Sequence, residues 1–189
     1  DLEDKAVAFS HVTFGYDPAQ PILKDFSCSL EPGEQAILMG PSGCGKSTLF
    51  KLLLGLYAPQ QGTAALMGKR AGSLPEEEKR SLYGCVEQEF SPVPGTVADQ
   101  VTLFDASVAS DQVDRALELV GLKEAVDRLP RGKDTLTADG LFSQGELQLL
   151  NIARAVAKEP RLLLLDEITA NLDSQTEERV MKALERAAQ

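Results

Sequence analysis

Nine consecutive residues, Gly40-Pro41-Ser42-Gly43-Cys44-Gly45-Lys46-Ser47-Thr48, have the spacing GxxxxGK[ST]. They follow a short apolar run, Ile37–Met39, and precede a stretch that reads as a helix. Glycines let several backbone N–H groups converge on one anion without side-chain clash, which is what phosphate oxygens require. A helix that begins inside the loop presents the positive end of its dipole to the same anion. Lys46 then reaches the β- and γ-phosphates of a nucleotide, and Ser47 offers its hydroxyl to Mg2+. A flexible glycine loop is the alternative. The strand before it and the helix after it favour the phosphate-binding reading.

A second constellation closes an apolar run, Leu162-Leu163-Leu164-Leu165, with Asp166-Glu167. A carboxylate at the C-terminal end of a buried strand can hold the hydration shell of Mg2+, here Asp166. Glu167 can orient or deprotonate an attacking water. By itself such a run is equally a buried strand meeting a solvated acidic turn; beside a phosphate loop the chemical reading takes precedence.

The elements that position these residues follow from periodicity. Val7–Phe14, Ile22–Leu30 and Gln35–Met39 read as strands, with Pro32-Gly33 as a turn between the last two. The helix from the glycine-rich stretch runs to about Leu54 and is closed by Gly55. Residues 63–67 and 82–87 read as two further short strands. Residues 91–158 are mainly helical: Asp111 caps a helix with Val113, Ala116, Leu117 and Val120 on one face, ended by Gly121. Ser143-Gln144-Gly145-Glu146 has the spacing of a capping box and opens an amphipathic helix to about Lys158. After the strand Arg161–Asp166, Ser174-Gln175-Thr176-Glu177 reads as another capping box. The order strand, phosphate loop, helix, helical insert, strand, helix predicts an α/β core carrying a helical lobe.

Composition narrows the class. A chain of 189 residues that is 43% hydrophobic and 25% charged has the make-up of a globular domain with a real core. Its apolar runs fall far short of the roughly 20 residues that span a membrane. A net charge of −10 argues against a nucleic-acid surface. Three cysteines and a single histidine, with no CxxC, point away from disulfides and zinc and towards a reducing, cytoplasmic setting.

With these motifs in place the chain resembles, over nearly its whole length, the ATPases of the ATP-binding cassette (ABC) family. The resemblance implies an α/β P-loop NTPase (RecA-like) core with an N-terminal antiparallel β portion and a helical lobe. It implies one ABC ATPase domain over 1–189, with the core at 1–90 and 159–189 and the lobe at 91–158. Phe14-Gly15-Tyr16 is similar to the aromatic A-loop, in which Tyr16 stacks on adenine; a core tyrosine at a strand end is the alternative. Gln88 is similar to the Q-loop glutamine, which reaches Mg2+ and the attacking water. Phe142-Ser143-Gln144-Gly145-Glu146 stands where the family carries LSGGQ, which assigns Ser143 and Gly145 to nucleotide contact. Ala170-Asn171-Leu172-Asp173 resembles the D-loop, which meets the opposite subunit. The run from Gln88 to Gly95-Thr96-Val97 keeps an exporter-like spacing, in a segment that in the family faces the coupling helices of the membrane domain.

The resemblance further implies MgATP as ligand, a head-to-tail dimer with a second ABC ATPase domain, and a transmembrane domain, fused or separate. That places the chain at the cytoplasmic face of a membrane with ATP hydrolysis driving transport, and no nucleic acid is expected. Three departures stand out. Gln144 and Glu146 replace a glycine and a glutamine of the signature. The stretch Asp134–Ser143 is about two residues shorter than in typical exporters. The strand ending in the family's switch histidine is not reached by Gln189, and His11 cannot take that role, so the domain is expected to extend further. Rival readings are a non-transport ABC ATPase, a regulatory partner with a degenerate signature site, and, more distantly, a P-loop kinase.

Overall fold

The computed structural model describes residues 4–34, 45–86, 89–165 and 172–187. The chain divides into two compact units, Asp1–Arg80 and Ser81–Gln189.

The first unit is built on an antiparallel sheet. Strand β1, Val7–Phe14, alternates β-branched and aromatic residues with small ones, and its Val7, Phe9, Val12 and Phe14 are buried. It lies between β2, Leu23–Leu30, and β3, Gln61–Leu66, and the order β2-β1-β3 is completed by the short β4, Lys69–Arg70. Register shifts interrupt β1 between Phe9 and Phe14 on the β2 side and between Ser10 and Thr13 on the β3 side. There His11 takes φ 49° and Asp25 takes φ 48°, the irregular backbone of bulges. Helix α1, Lys46–Leu53, packs its buried Leu49, Leu52 and Leu53 towards β3. It ends as the sequence predicts: Leu54 caps it and Gly55 follows at φ 70°. Helix α2, Glu76–Leu82, was not anticipated from the sequence.

The second unit is organised around one helix. Strands β5, Tyr83–Val86, and β6, Leu162–Leu165, pair in parallel, with Tyr83 opposite Leu162 and Val86 opposite Leu165. Parallel strands need a long crossover. This one carries α3, Val97–Thr102, α4, Ser110–Leu119, α5, Lys123–Asp127, and α6, Gln144–Val156. Helix α7, Ser174–Ala187, follows β6. Helix α6 packs against α3, α4, α7 and β5, and its Leu149, Leu150 and Ile152 are fully buried. A helix apolar on so many sides belongs in a core.

Two expected helix caps are corrected. Helix α4 starts at Ser110, and the Ala109 N–H donates to Gln112 Oε1 at 2.8 Å, so Asp111 is a first-turn residue, paired instead with Arg115 at 2.6 Å. Helix α7 is capped by Asp173 and not by Ser174: the Thr176 N–H donates to Asp173 Oδ1 at 2.9 Å and its hydroxyl to Oδ2 at 2.7 Å. Aspartate outcompetes serine here because its two oxygens take both donors of Thr176. The box at Ser143 is as expected. The strand expected at Gln35–Met39 lies outside the described residues.

Residues 90–95, ahead of α3, are held by side chains. Gln100, buried on α3, accepts from the Val93 N–H at 2.9 Å and donates to Val93 O at 2.5 Å and to Thr137 Oγ1 at 3.0 Å. Arg154 on α6 donates to Gln100 O at 2.6 Å and Ser91 O at 3.1 Å, with its guanidinium 4.4 Å from the centre of the Phe90 ring. Thr137 donates through its hydroxyl to Gly95 O at 2.8 Å. The substitution Gln100→Leu keeps the volume and strands both backbone groups of Val93. It is expected to lower stability by about 1–3 kcal/mol, the cost of leaving such groups unpaired. Urea unfolding measures it, and an unchanged midpoint would show that the clamp contributes nothing.

Candidate functional site

In the first unit the phosphate-loop sequence runs directly into α1. Gly45 is its N-cap at φ 101°, a left-handed conformation that suits glycine, and a Cβ there would stand 3.0 Å from Ile22 Cγ2. Lys46 is the first helical residue and half-buried, Ser47 is exposed, and Thr48 is buried. The first turn of α1 contains no acidic residue, so nothing opposes an anion at its positive end. Gly40, Pro41, Ser42, Gly43 and Cys44 lie outside the described residues.

Tyr16 leaves β1 beside this helix. Its hydroxyl is 3.4 Å from Thr48 Oγ1 and its ring centre 5.4 Å from Lys51 Nζ. The bond to Thr48 draws the phenol below its ordinary pKa, with a smaller contribution from Lys51, against some desolvation. The Phe14 and Tyr57 rings meet Tyr16 edge-on, at 5.3 and 5.1 Å between centres. Tyr16 therefore touches the helix that follows the phosphate loop while 49% of its surface stays exposed.

In the second unit β5 and β6 end level with each other at Val86 and Leu165. Two residues beyond the first end in sequence is Gln88; directly beyond the second are Asp166 and Glu167. All three lie outside the described residues. The same unit carries Ser143 and Gly145 at the start of α6. Ser143 Oγ accepts from the Glu146 N–H at 3.2 Å, and Glu146 Oε1 accepts from the Ser143 N–H at 3.2 Å. The Leu147 N–H is taken by Ser143 O at 2.9 Å. The N–H groups of Gln144 and Gly145, the other first-turn donors, have no hydrogen-bond partner among the described residues.

Gly145 also marks a close approach. A Cβ on it would stand 2.1 Å from Thr176 Cγ2, and Thr176 is fixed by Asp173. The start of α6 and the start of α7 are thus packed together through a glycine. Sequence reasoning missed Tyr57, Gln60, Gln100, Thr137 and Arg154. A glutamine in the apolar face of α3, with Val97 and Val101, was the one readable signal among them.

Residues 23–170 match the ABC transporter family. Among curated proteins the chain is 41% identical over 181 residues to the mycobactin import ATP-binding/permease protein IrtA of Mycobacterium tuberculosis, covering 95% of this chain and 21% of that protein. It is 34% identical over 180 residues to the mitochondrial iron-sulfur clusters transporter ATM1 of Kluyveromyces lactis, covering 94% and 25% respectively. Among solved structures, a bacterial Atm1-family ABC exporter with ATP bound aligns with a TM-score of 0.83 at 30% identity, over 100% of this chain and 33% of that one. The chain belongs to the ABC transporter family and is an ATP-binding domain of its P-loop NTPase fold. It spans about a fifth to a quarter of the length of these two relatives, 21% and 25%. Domains of this family hydrolyse ATP to power transport.

The close approach gives a test. Gly145→Ala is expected to destabilise the protein, because a methyl cannot fit against Thr176. Thr176→Ser removes the atom in the way and keeps the hydroxyl for Asp173, so the double variant should regain part of the loss. Thermal unfolding compares the three; a double variant no more stable than Gly145→Ala would contradict the packing described.

Proposed function

We propose that this chain is the ATP-hydrolysing domain of an exporter-type ABC transporter, acting at the cytoplasmic face of a membrane. The observation that carries the reading is the level end of the parallel pair at Val86 and Leu165. Neighbouring strands lie about 4.8 Å apart, so Val86 and Leu165, which precede Gln88 and Asp166-Glu167 in sequence, stand side by side. Crevices beyond the carboxyl ends of parallel strands are where such folds bind ligands.

In this reading Tyr16 stacks on adenine, while Gly40 to Gly45 and Thr48 cradle the phosphates. Lys46 neutralises charge at the β- and γ-phosphates. The donors assigned to Mg2+, Ser47, Gln88 and Asp166, are hydroxyl, amide and carboxylate oxygens, a set that suits that hard cation, and Ser47 is exposed at the start of α1. Held by these residues, Mg2+ would offset negative charge on the phosphates. Glu167 takes a proton from the attacking water, with Gln88 orienting it. Ser143 and Gly145 face the ATP of a second ABC ATPase domain, head to tail, where the positive end of α6 favours a phosphate. The core is assigned to 1–90 and 159–189 and the helical lobe to 91–158.

Among the described residues no helix is long and apolar enough to cross a membrane. Two of the relatives are named as permeases or transporters, which supports a membrane domain as partner, fused or separate. One relative is named for import and the solved structure for export; the likeness to that exporter, at 30% identity, supports the exporter-type reading. Glu146 favours a weakened signature site: its carboxylate occupies the Ser143 N–H and brings negative charge to a helix end meant for phosphate.

Lys46→Ala in the full-length protein removes a charge-assisted contact to phosphate. It is expected to weaken MgATP binding by about 10- to 100-fold, as loss of a charged hydrogen bond would. Calorimetry measures it; unchanged affinity would mean that the nucleotide binds elsewhere.

A further inference from the structure

The stretch between α1 and β3 grips the loop that carries Tyr16. Gln60 closes its side-chain amide on both backbone groups of Gly15: the Gly15 N–H donates to Oε1 at 3.0 Å, and Nε2 donates to Gly15 O at 2.7 Å. The backbone of Gln60 is itself fixed, its N–H donating to Thr13 O at 3.0 Å. A primary amide that pairs with the N–H and the C=O of one residue removes that residue's freedom to swing. The next residue is Tyr16, so the clamp sets where its Cα stands.

Tyr57, three residues before Gln60, sets the plane of the ring. It meets Tyr16 edge-on at 82°, and Phe14 does the same from another side, also at 82°. Edge-to-face packing is a preferred aromatic geometry, and two such neighbours define one orientation. The hydroxyl of Tyr16 is tied to Thr48 at the other end of the ring. Nearly half of Tyr16 is left exposed by these contacts, the surface a flat base would need.

We infer that Gln60 is a positioning residue for the purine base of the nucleotide: through Gly15 it holds Tyr16 as a preset stacking surface, with Tyr57 as its buttress. The inference rests on the reading of Tyr16 as the adenine platform. Gln60 acts on the base end of the ligand and not on the phosphate end, which separates a positioning role from a structural one.

The test is calorimetric binding of MgATP and of inorganic tripolyphosphate to the full-length protein, in the unsubstituted form and as Tyr16→Ala and Gln60→Ala. Both variants are expected to weaken MgATP by about fivefold to tenfold, within what one base–aromatic stack contributes. Gln60→Ala should leave tripolyphosphate binding unchanged. Equal losses for the two ligands in Gln60→Ala, or no loss of MgATP affinity there while Tyr16→Ala is impaired, overturn the inference alone. Unchanged MgATP affinity in Tyr16→Ala overturns the platform reading and the inference with it. Should Gln60→Ala fail to fold, Gln60→Glu replaces it: a carboxylate still accepts from the Gly15 N–H but cannot donate to the carbonyl. The same base-selective loss is expected, and its absence counts against the inference.

Discussion

Burial of α6 on several sides at once is the constraint from which the second unit takes its form. Leu149, Leu150 and Ile152 are withdrawn from water completely. Because α6 packs against α3, α4, α7 and β5, its N-terminus, with Ser143 and Gly145, has a fixed place in that unit. Its C-terminal half reaches the other way: Arg154 donates to the backbone of Ser91 and Gln100. One helix thus carries the signature residues at one end and anchors the segment after β5 near the other.

In the proposed reading the first unit has a different task, to bring the two ends of a nucleotide within reach of one short sheet. α1 opens with a left-handed glycine, and no acidic side chain of its first turn opposes a phosphate there. Tyr16, held by Gly15 and flanked by Phe14 and Tyr57, stands within hydrogen-bond distance of Thr48 on that helix. The surfaces assigned to the base and to the phosphates are thereby linked through side-chain contacts, which favours a preformed site over one assembled on binding.

Much of this was legible in the sequence because it rests on local chemistry. Strand β1 falls where alternation placed it, and the box at Ser143 forms because serine and glutamate stand three apart at a helix start. The start of α7 was misread by one residue: Asp173 lies one position earlier than Ser174 and offers two acceptors, which spacing alone does not rank. Helix α3 was not seen because its cap pairs Thr96 with Asp99, a shorter acid than the usual partner. Gln60 and Arg154 were invisible for another reason. Each acts on backbone groups far away in the chain, Gln60 on Gly15 and Arg154 on Ser91, and no pattern of neighbours reports a contact of that kind.

The claim on which the rest depends is the proposal that Glu167, in the acidic pair that follows β6 in sequence, supplies catalysis, and one substitution isolates it. Glu167→Gln keeps size and hydrogen bonding while removing the base. In the full-length protein, MgATP is then expected to remain bound without being hydrolysed, with closed dimers accumulating. Single-turnover measurement of bound ATP and phosphate release reads this directly. Hydrolysis at the unsubstituted rate would contradict the account, because the water would then be activated by a group other than Glu167.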